Sequence, residues 1–206
     1  MENKHIIINV GRQLGSGGHV IARMLASEFN AKLYDKEILN LAAKESGFSE
    51  KIFEQNDEKK GFIRGLYNMA APHVGGVYES GFSQENLFKF QSDAIRKAAA
   101  KGSCVFVGRC ADYVLRDFEN VVNIFVTASM HDRVEQILNK QNMDPSEAKH
   151  QIQQAEAKRA AYYNYYTGKK WGHAESYDLC INTSVLGMDE SAKMVAAFIR
   201  KRFKME

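Results

Sequence analysis

An α/β fold built on a parallel sheet is predicted for this chain by three observations. Short apolar, β-branched runs recur along it, each followed by a segment whose apolar residues fall at helical spacing, the alternation that βαβ units produce. The first such strand and helix are joined by Gly15-Ser16-Gly17-Gly18. Charged residues, Asp35 and Arg109, stand directly after later strands, at the edge where open α/β sheets bind ligands.

The first strand is read at Ile6 to Val10, a run apolar enough to be buried on both faces. Val20, Ile21, Met24, Leu25 and Phe29 then mark one face of a helix. Between them, a glycine turn can bring several backbone N–H groups to one anion, at the positive end of the helix. The nucleotide-binding loop pattern G-x-x-x-x-G-K-[ST] would need a glycine five residues before Gly17, a lysine after it and then a hydroxyl residue. Arg12, Gly18 and His19 occupy those three places. The cradle is therefore expected without its usual charge, with Arg12 or Arg23 supplying a cation and His19 a donor. A plain strand-to-helix turn is the other reading.

Residues 31–34 read as a second strand ending at Asp35, which is a ligand contact or the N-cap of a helix beginning near Glu37. Residues 47–82 read as a substrate-covering element or a peripheral insertion, broken by Pro72, Gly75 and Gly76. A helix is expected from Ser83 to Lys101-Gly102. Cys104 to Val107 gives the third strand, and Gly108 permits a sharp exit that holds Arg109 at the sheet edge, where its fork of donors suits phosphate. Asp112 is read as binding a sugar or base, or as pairing with Arg109.

Val121 to Val126 is the fourth strand, followed by a helix carrying Val134, Ile137 and Leu138. Arg133 opposes that helix's dipole and suggests an anionic partner, a phosphate or the neighbourhood of Asp132. Asp144-Pro145-Ser146-Glu147 is a helix start. Its helix ends in Lys158-Arg159 and the segment Tyr162 to Trp171, basic and aromatic, suited to closing over a nucleotide or to a protein interface. A fifth strand is read at 177–181, then a helix from about Asp189 whose Met194, Val195, Phe198 and Ile199 face inward.

The chain of 206 residues, 45% apolar and 26% charged, has the composition of one soluble globular domain. It contains no apolar run near the roughly 18 residues of a membrane span. Met-Glu-Asn-Lys leads into a strand with no signal-peptide pattern, so a cytoplasmic protein is expected. A formal charge of +3 is too small to argue for nucleic acid on its own and suits small anionic ligands. Of three cysteines, none in metal-ligand spacing, Cys104 and Cys180 are expected as small buried hydrophobes.

Gly-Arg-Gln-Leu-Gly-Ser-Gly-Gly at 11–18, Leu-Tyr-Asp-Lys-Glu-Ile at 33–38 and Val-Gly-Arg-Cys-Ala-Asp-Tyr-Val-Leu at 107–115 resemble the cytidylate-kinase-like family, within the P-loop nucleoside monophosphate kinases. Lys-Arg-Ala-Ala-Tyr-Tyr at 158–163, Gly-Lys-Lys-Trp at 168–171 and Tyr-Asp-Leu-Cys-Ile-Asn-Thr-Ser at 177–184 extend the likeness over nearly the whole chain. The resemblance implies a three-layer P-loop fold, a five-stranded parallel sheet flanked by helices, as a single domain over 1–206. It also implies a monophosphate-binding insertion at 47–82 and a mobile helical lid at 144–175. The implied activity is ATP- and Mg²⁺-dependent phosphorylation of a nucleoside monophosphate such as CMP or dCMP. Gly15, Ser16, Gly17, Gly18 and His19 would hold donor phosphates, Asp35, Arg109 and Asp112 would face the acceptor, and Arg12, Arg109 and Arg159 would serve as catalytic cations. The ligand set for a metal and the oligomeric state are left open. Cytidylate kinases carry the lysine and hydroxyl missing here, and an acidic residue where Gly108 stands. A silent nucleotide or phosphometabolite sensor and an interaction module on the same fold are the competing readings.

Overall fold

The computed structural model describes residues 5–35 and 84–205. The expectations for a helix near Glu37 and for the 47–82 segment lie outside the described residues. Five strands, β1 (Ile7–Arg12), β2 (Lys32–Tyr34), β3 (Cys104–Val107), β4 (Val121–Thr127) and β5 (Leu179–Asn182), pair in parallel in the order β2-β3-β1-β4-β5. With β1 between β3 and β4, the chain changes direction across the sheet at β1. The turn leaving β1 and the turn leaving β3 consequently open at one edge, where open α/β sheets take ligands.

Alternation along β1 builds the three layers. Ile6, Ile8 and Val10 project into a core shared with Ile21 and Leu25 of α1 (Gly18–Glu28) and Val195 and Ile199 of α6 (Thr183–Phe203). Ile7 projects to the opposite face, against Ile95 of α2 (Gln84–Lys101) and Val114 of α3 (Ala111–Val114). Asn9 also faces that side, buried, and donates from Nδ2 to Asn123 Oδ1 on β4 at 2.9 Å. A smaller cluster of Ile137, Ala148 and Ile152, with Leu14 packed on it, joins α4 (Met130–Leu138) to α5 (Pro145–Thr167).

The helix ends follow from capping chemistry. Ser129 accepts from Asp132 N at 3.1 Å and Asp144 from Ser146 N at 2.8 Å, with Pro145 at the first helical position. Gly168 closes α5 at φ 69°, the left-handed conformation that glycine adopts without strain.

A short helical stretch opens at Thr183, where Asn182 accepts from Ser184 N at 3.0 Å, and breaks at Gly187, so the helix expected from about Asp189 follows that break. Three expectations are corrected. Met194 is exposed rather than inward-facing, since Val195, Ala196 and Ile199 already fill the inner face. Cys180 is exposed, because β5 is an edge strand with Ile181 turned to the core. Val20 likewise stands on the outer side of α1. No helix among the described residues is long and apolar enough to cross a membrane.

Candidate active site

The glycine turn is held from three sides. Ser16 Oγ donates to Gln13 O at 3.0 Å, while the buried Thr183 hydroxyl lies 2.9 Å from Ser16 O and 3.2 Å from Thr127 O. Gln13 Oε1 accepts from Thr127 Oγ1 and, at 3.4 Å, from Ala128 N. The turn is thereby tied to the ends of β4 and β5. Gly15 and Gly17 both have positive φ, and a Cβ on Gly15 would come within 2.6 Å of Arg133 O. A Cβ on Gly17 would come within 2.7 Å of Met188 Sδ. Glycine is favoured at both by the backbone, and at Gly15 also by space, since the Arg133 backbone cannot give way as the Met188 side chain can.

Gly17 caps α1 without a side chain. The first N–H groups of that helix therefore have no side-chain cap to compete with an anion, and the residues present fit a phosphate. His19 Nδ1 lies 3.1 Å from Asp35 Oδ2, and Arg23 Nη2 lies 3.1 Å from His19 Nε2. Asp35 is thus brought to the cradle through His19.

Two of the expected cations, Arg12 and Arg159, meet at the strand end that enters this turn. Arg12 lies beside Gly18, and its Nη1 is 2.4 Å from where a Cβ of Gly108 would be. Arg159, on α5, donates from Nη1 to Arg12 O at 3.0 Å. Arg109 follows Gly108 in a run of three left-handed residues, Gly108, Arg109 and Cys110, with φ of 74°, 61° and 55°. Its positive charge opposes the burial that pushes up the Cys110 thiol and the Tyr162 phenol.

Asp112 is buried, 7% exposed, and accepts from Tyr163 Oη at 2.6 Å, with Lys169 Nζ at 3.9 Å. Burial pushes its carboxyl above the ordinary 3.8, against the Tyr163 hydrogen bond and the Lys169 charge. Its described partners are these two residues of the tyrosine-rich segment rather than Arg109. Around them Tyr162 donates to Gln91 Oε1 at 3.2 Å, and Tyr166 stacks on Phe88 with centroids 4.0 Å apart. Tyr165 is exposed. The anion that Arg133 called for is Glu156, one helix away on α5.

Sequence reasoning missed Gln13, Thr183 and Met188, which are ordinary residue types read as parts of a loop, a strand exit and a helix. Their role depends on β5 lying two strands from β1. Tyr163 was visible only as one of four tyrosines.

A parallel five-stranded sheet with an uncapped glycine turn after its central strand defines a protein of the P-loop kinase class. The model of the cytidylate kinase-like family matches residues 7–185, and the chain belongs to that family. A cytidylate kinase of Methanopyrus kandleri is 24% identical over 202 residues, covering 94% of this chain and 93% of that protein. One of Staphylothermus marinus is 27% identical over 106 residues, 52% of this chain, and the match spans 59% of that protein's length. Among solved structures, an uncharacterized protein from Eubacterium ventriosum superposes with a TM-score of 0.72 at 28% identity, covering 94% of this chain and 98% of that one. Shikimate kinase from Bacteroides thetaiotaomicron shares the fold, with a TM-score of 0.55 at 12% identity over 98% and 99% of the two chains.

Proposed function

We propose that the protein is a cytoplasmic, ATP-dependent phosphotransferase that passes a phosphoryl group to a nucleoside monophosphate such as CMP or dCMP. The observation that carries this reading is the hydrogen bond from Arg159 to the carbonyl of Arg12. It joins the tyrosine-rich helix to the strand end that enters the glycine turn, which supports a reading in which Arg12 and Arg159 serve one phosphate-binding site. Family membership supplies the reaction class.

In this reading Gly15 to His19 bind donor phosphates through backbone N–H groups. Arg12 and Arg159 neutralise charge on the transferring phosphoryl, while Asp35 and Arg109 face the acceptor. Asp112 acts through Tyr163 and Lys169 to set the closed position of a lid over 144–175, and residues 47–82 bind the monophosphate. No covalent intermediate is needed, because positioning and charge neutralisation account for such transfers.

Magnesium, if bound, would supply positive charge that neutralises the transferring phosphate. The described residues do not reproduce its usual place. His19 stands at the hydroxyl position and pairs with Asp35, and the Ser16 hydroxyl donates to Gln13 O.

A second reading, nucleotide binding without transfer, is favoured by Gly18, where no loop lysine is present. ADP formation from ATP with CMP, dCMP, UMP and AMP separates the two. Acceptor-dependent ADP, greatest with CMP or dCMP, is the expected result; nucleotide binding with no acceptor-dependent turnover would establish the second.

A further inference from the structure

Two glycines far apart in sequence keep open the space that Arg12 occupies. A Cβ on Gly18 would lie 2.4 Å from Arg12 Cβ and 3.0 Å from its Cγ, with Val126 Cβ at 3.3 Å behind. A Cβ on Gly108 would lie 2.4 Å from Arg12 Nη1. The stem of Arg12 thus fills the first slot and its guanidinium reaches the second. The two contacts differ in kind. At Gly108 the opposing atom is the end of a long side chain, which can swing away. At Gly18 it is a Cβ, fixed by the β1 backbone, which pairs with Val126 and is held again by Arg159 at the Arg12 carbonyl.

Gly18 is also the position where the nucleotide-binding loop pattern has its lysine. The geometry points to a relocated cation: Arg12, seated between Gly18 and Gly108, replaces the loop lysine as the residue that binds the terminal phosphates of a polyphosphate. An arginine at 12 and a lysine at 18 then exclude one another. The planar guanidinium fork of an arginine matches two phosphate oxygens. Gly108 and Gly18 act as positioning residues. The inference rests on the phosphate-binding reading of the cradle and is independent of the acceptor.

The test is calorimetric binding of inorganic pyrophosphate, without metal, to the full chain and to Arg12→Gly, Gly18→Lys and the double variant, with melting temperatures for each. Arg12→Gly is expected to bind about tenfold or more weakly, the loss of a charge-assisted hydrogen bond. Gly18→Lys alone is expected to melt lower and bind more weakly, because the introduced side chain and Arg12 compete for one space. The double variant is expected to recover both properties, a compensation that a merely structural glycine would not show.

Should Gly18→Lys fail to fold, Gly108→Ala is the second probe: among the described residues its Cβ meets the movable Arg12 guanidinium, the backbone cost of φ +74° is read from the melt, and pyrophosphate binding by the folded variant is expected to weaken. Unchanged pyrophosphate affinity in folded Arg12→Gly, or Gly18→Lys binding as tightly as the natural protein at an unchanged melting temperature, would overturn the inference. The pattern expected here in a protein that transfers nothing from ATP would support the relocated cation while removing the kinase reading. Turnover with pyrophosphate affinity indifferent to Arg12 would do the reverse.

Discussion

Tyr163 donates its phenolic hydrogen to Asp112 Oδ2 at 2.6 Å, joining α5 to the short helix α3 that follows β3. Asp112 is buried and its carboxyl is held above the ordinary 3.8, chiefly by burial, with this hydrogen bond pulling the other way. A carboxyl raised on folding binds protons more strongly in the native state. Its contribution therefore falls as pH rises from 3.8 through the higher native value, and the burial cost is complete above that value.

Tyr163→Phe removes the bond that favours the charged form and raises the carboxyl further. The variant is expected to melt below the natural protein at neutral pH, with the gap narrowing as pH is lowered towards about 4. Thermal melts across that range check it, and a gap that widens on acidification would contradict it.

Gly15 combines a φ of +81° with an Arg133 carbonyl 2.6 Å from any added Cβ. Backbone strain and overpacking each cost about 1–3 kcal/mol, so Gly15→Ala is expected to destabilise by at least about 2 kcal/mol. At about 2–4 °C per kcal/mol for a chain of this size, a fall in melting temperature of at least about 4 °C follows. A melt indistinguishable from that of the natural protein would show that the turn relaxes freely.

Arg133 is almost fully enclosed, with a side chain only 6% exposed, and its acidic partner Glu156 is 20% exposed. Removing one member of a buried pair costs about 3–5 kcal/mol, and the partial exposure of Glu156 lowers the expected cost of Glu156→Gln to about 2 kcal/mol or more. Pairing that change with Arg133→Met is expected to recover much of the loss in urea denaturation, because no uncompensated charge is left behind. Simple additivity of the two losses would count against a coupled pair.

The thiols are expected to divide. Burial pushes Cys104 up to about 12 and raises Cys110 as well, while Cys180 is exposed on the edge strand. In the native protein an alkylating reagent should modify Cys180 first, with the other two reacting only on unfolding. Early labelling of Cys104, located by peptide mass spectrometry, would mean that β3 opens locally.

Much of this architecture was legible in the sequence for a simple reason. Parallel strands buried on both faces need continuous β-branched runs, and Ile6 to Val10, Cys104 to Val107 and Val121 to Val126 supply them. Asp144-Pro145 was equally plain, since its cap is local. Met194 misled because the small Ala192 and Ala196, with Val195 and Ile199, take the buried stripe one position over, and Cys180 because edge and central strands share one composition. The seat of Arg12 was beyond reach for another reason: Gly18 and Gly108 are separated by a long stretch of chain, and only the placement of β3 beside β1 brings both to one side chain.

The measurement that bears most directly on the central claim is single-turnover transfer from γ-labelled ATP to CMP and dCMP, comparing the natural protein with Arg109→Ala. Arg109 already sits at φ 61°, so the variant keeps the same backbone demand and its fold is checked by an unchanged melt. The account predicts labelled CDP or dCDP from the natural protein and a loss of about a hundredfold or more in the variant, the scale of one electrostatic contact to a transition state. Labelled product formed equally by both, or by neither, would contradict it.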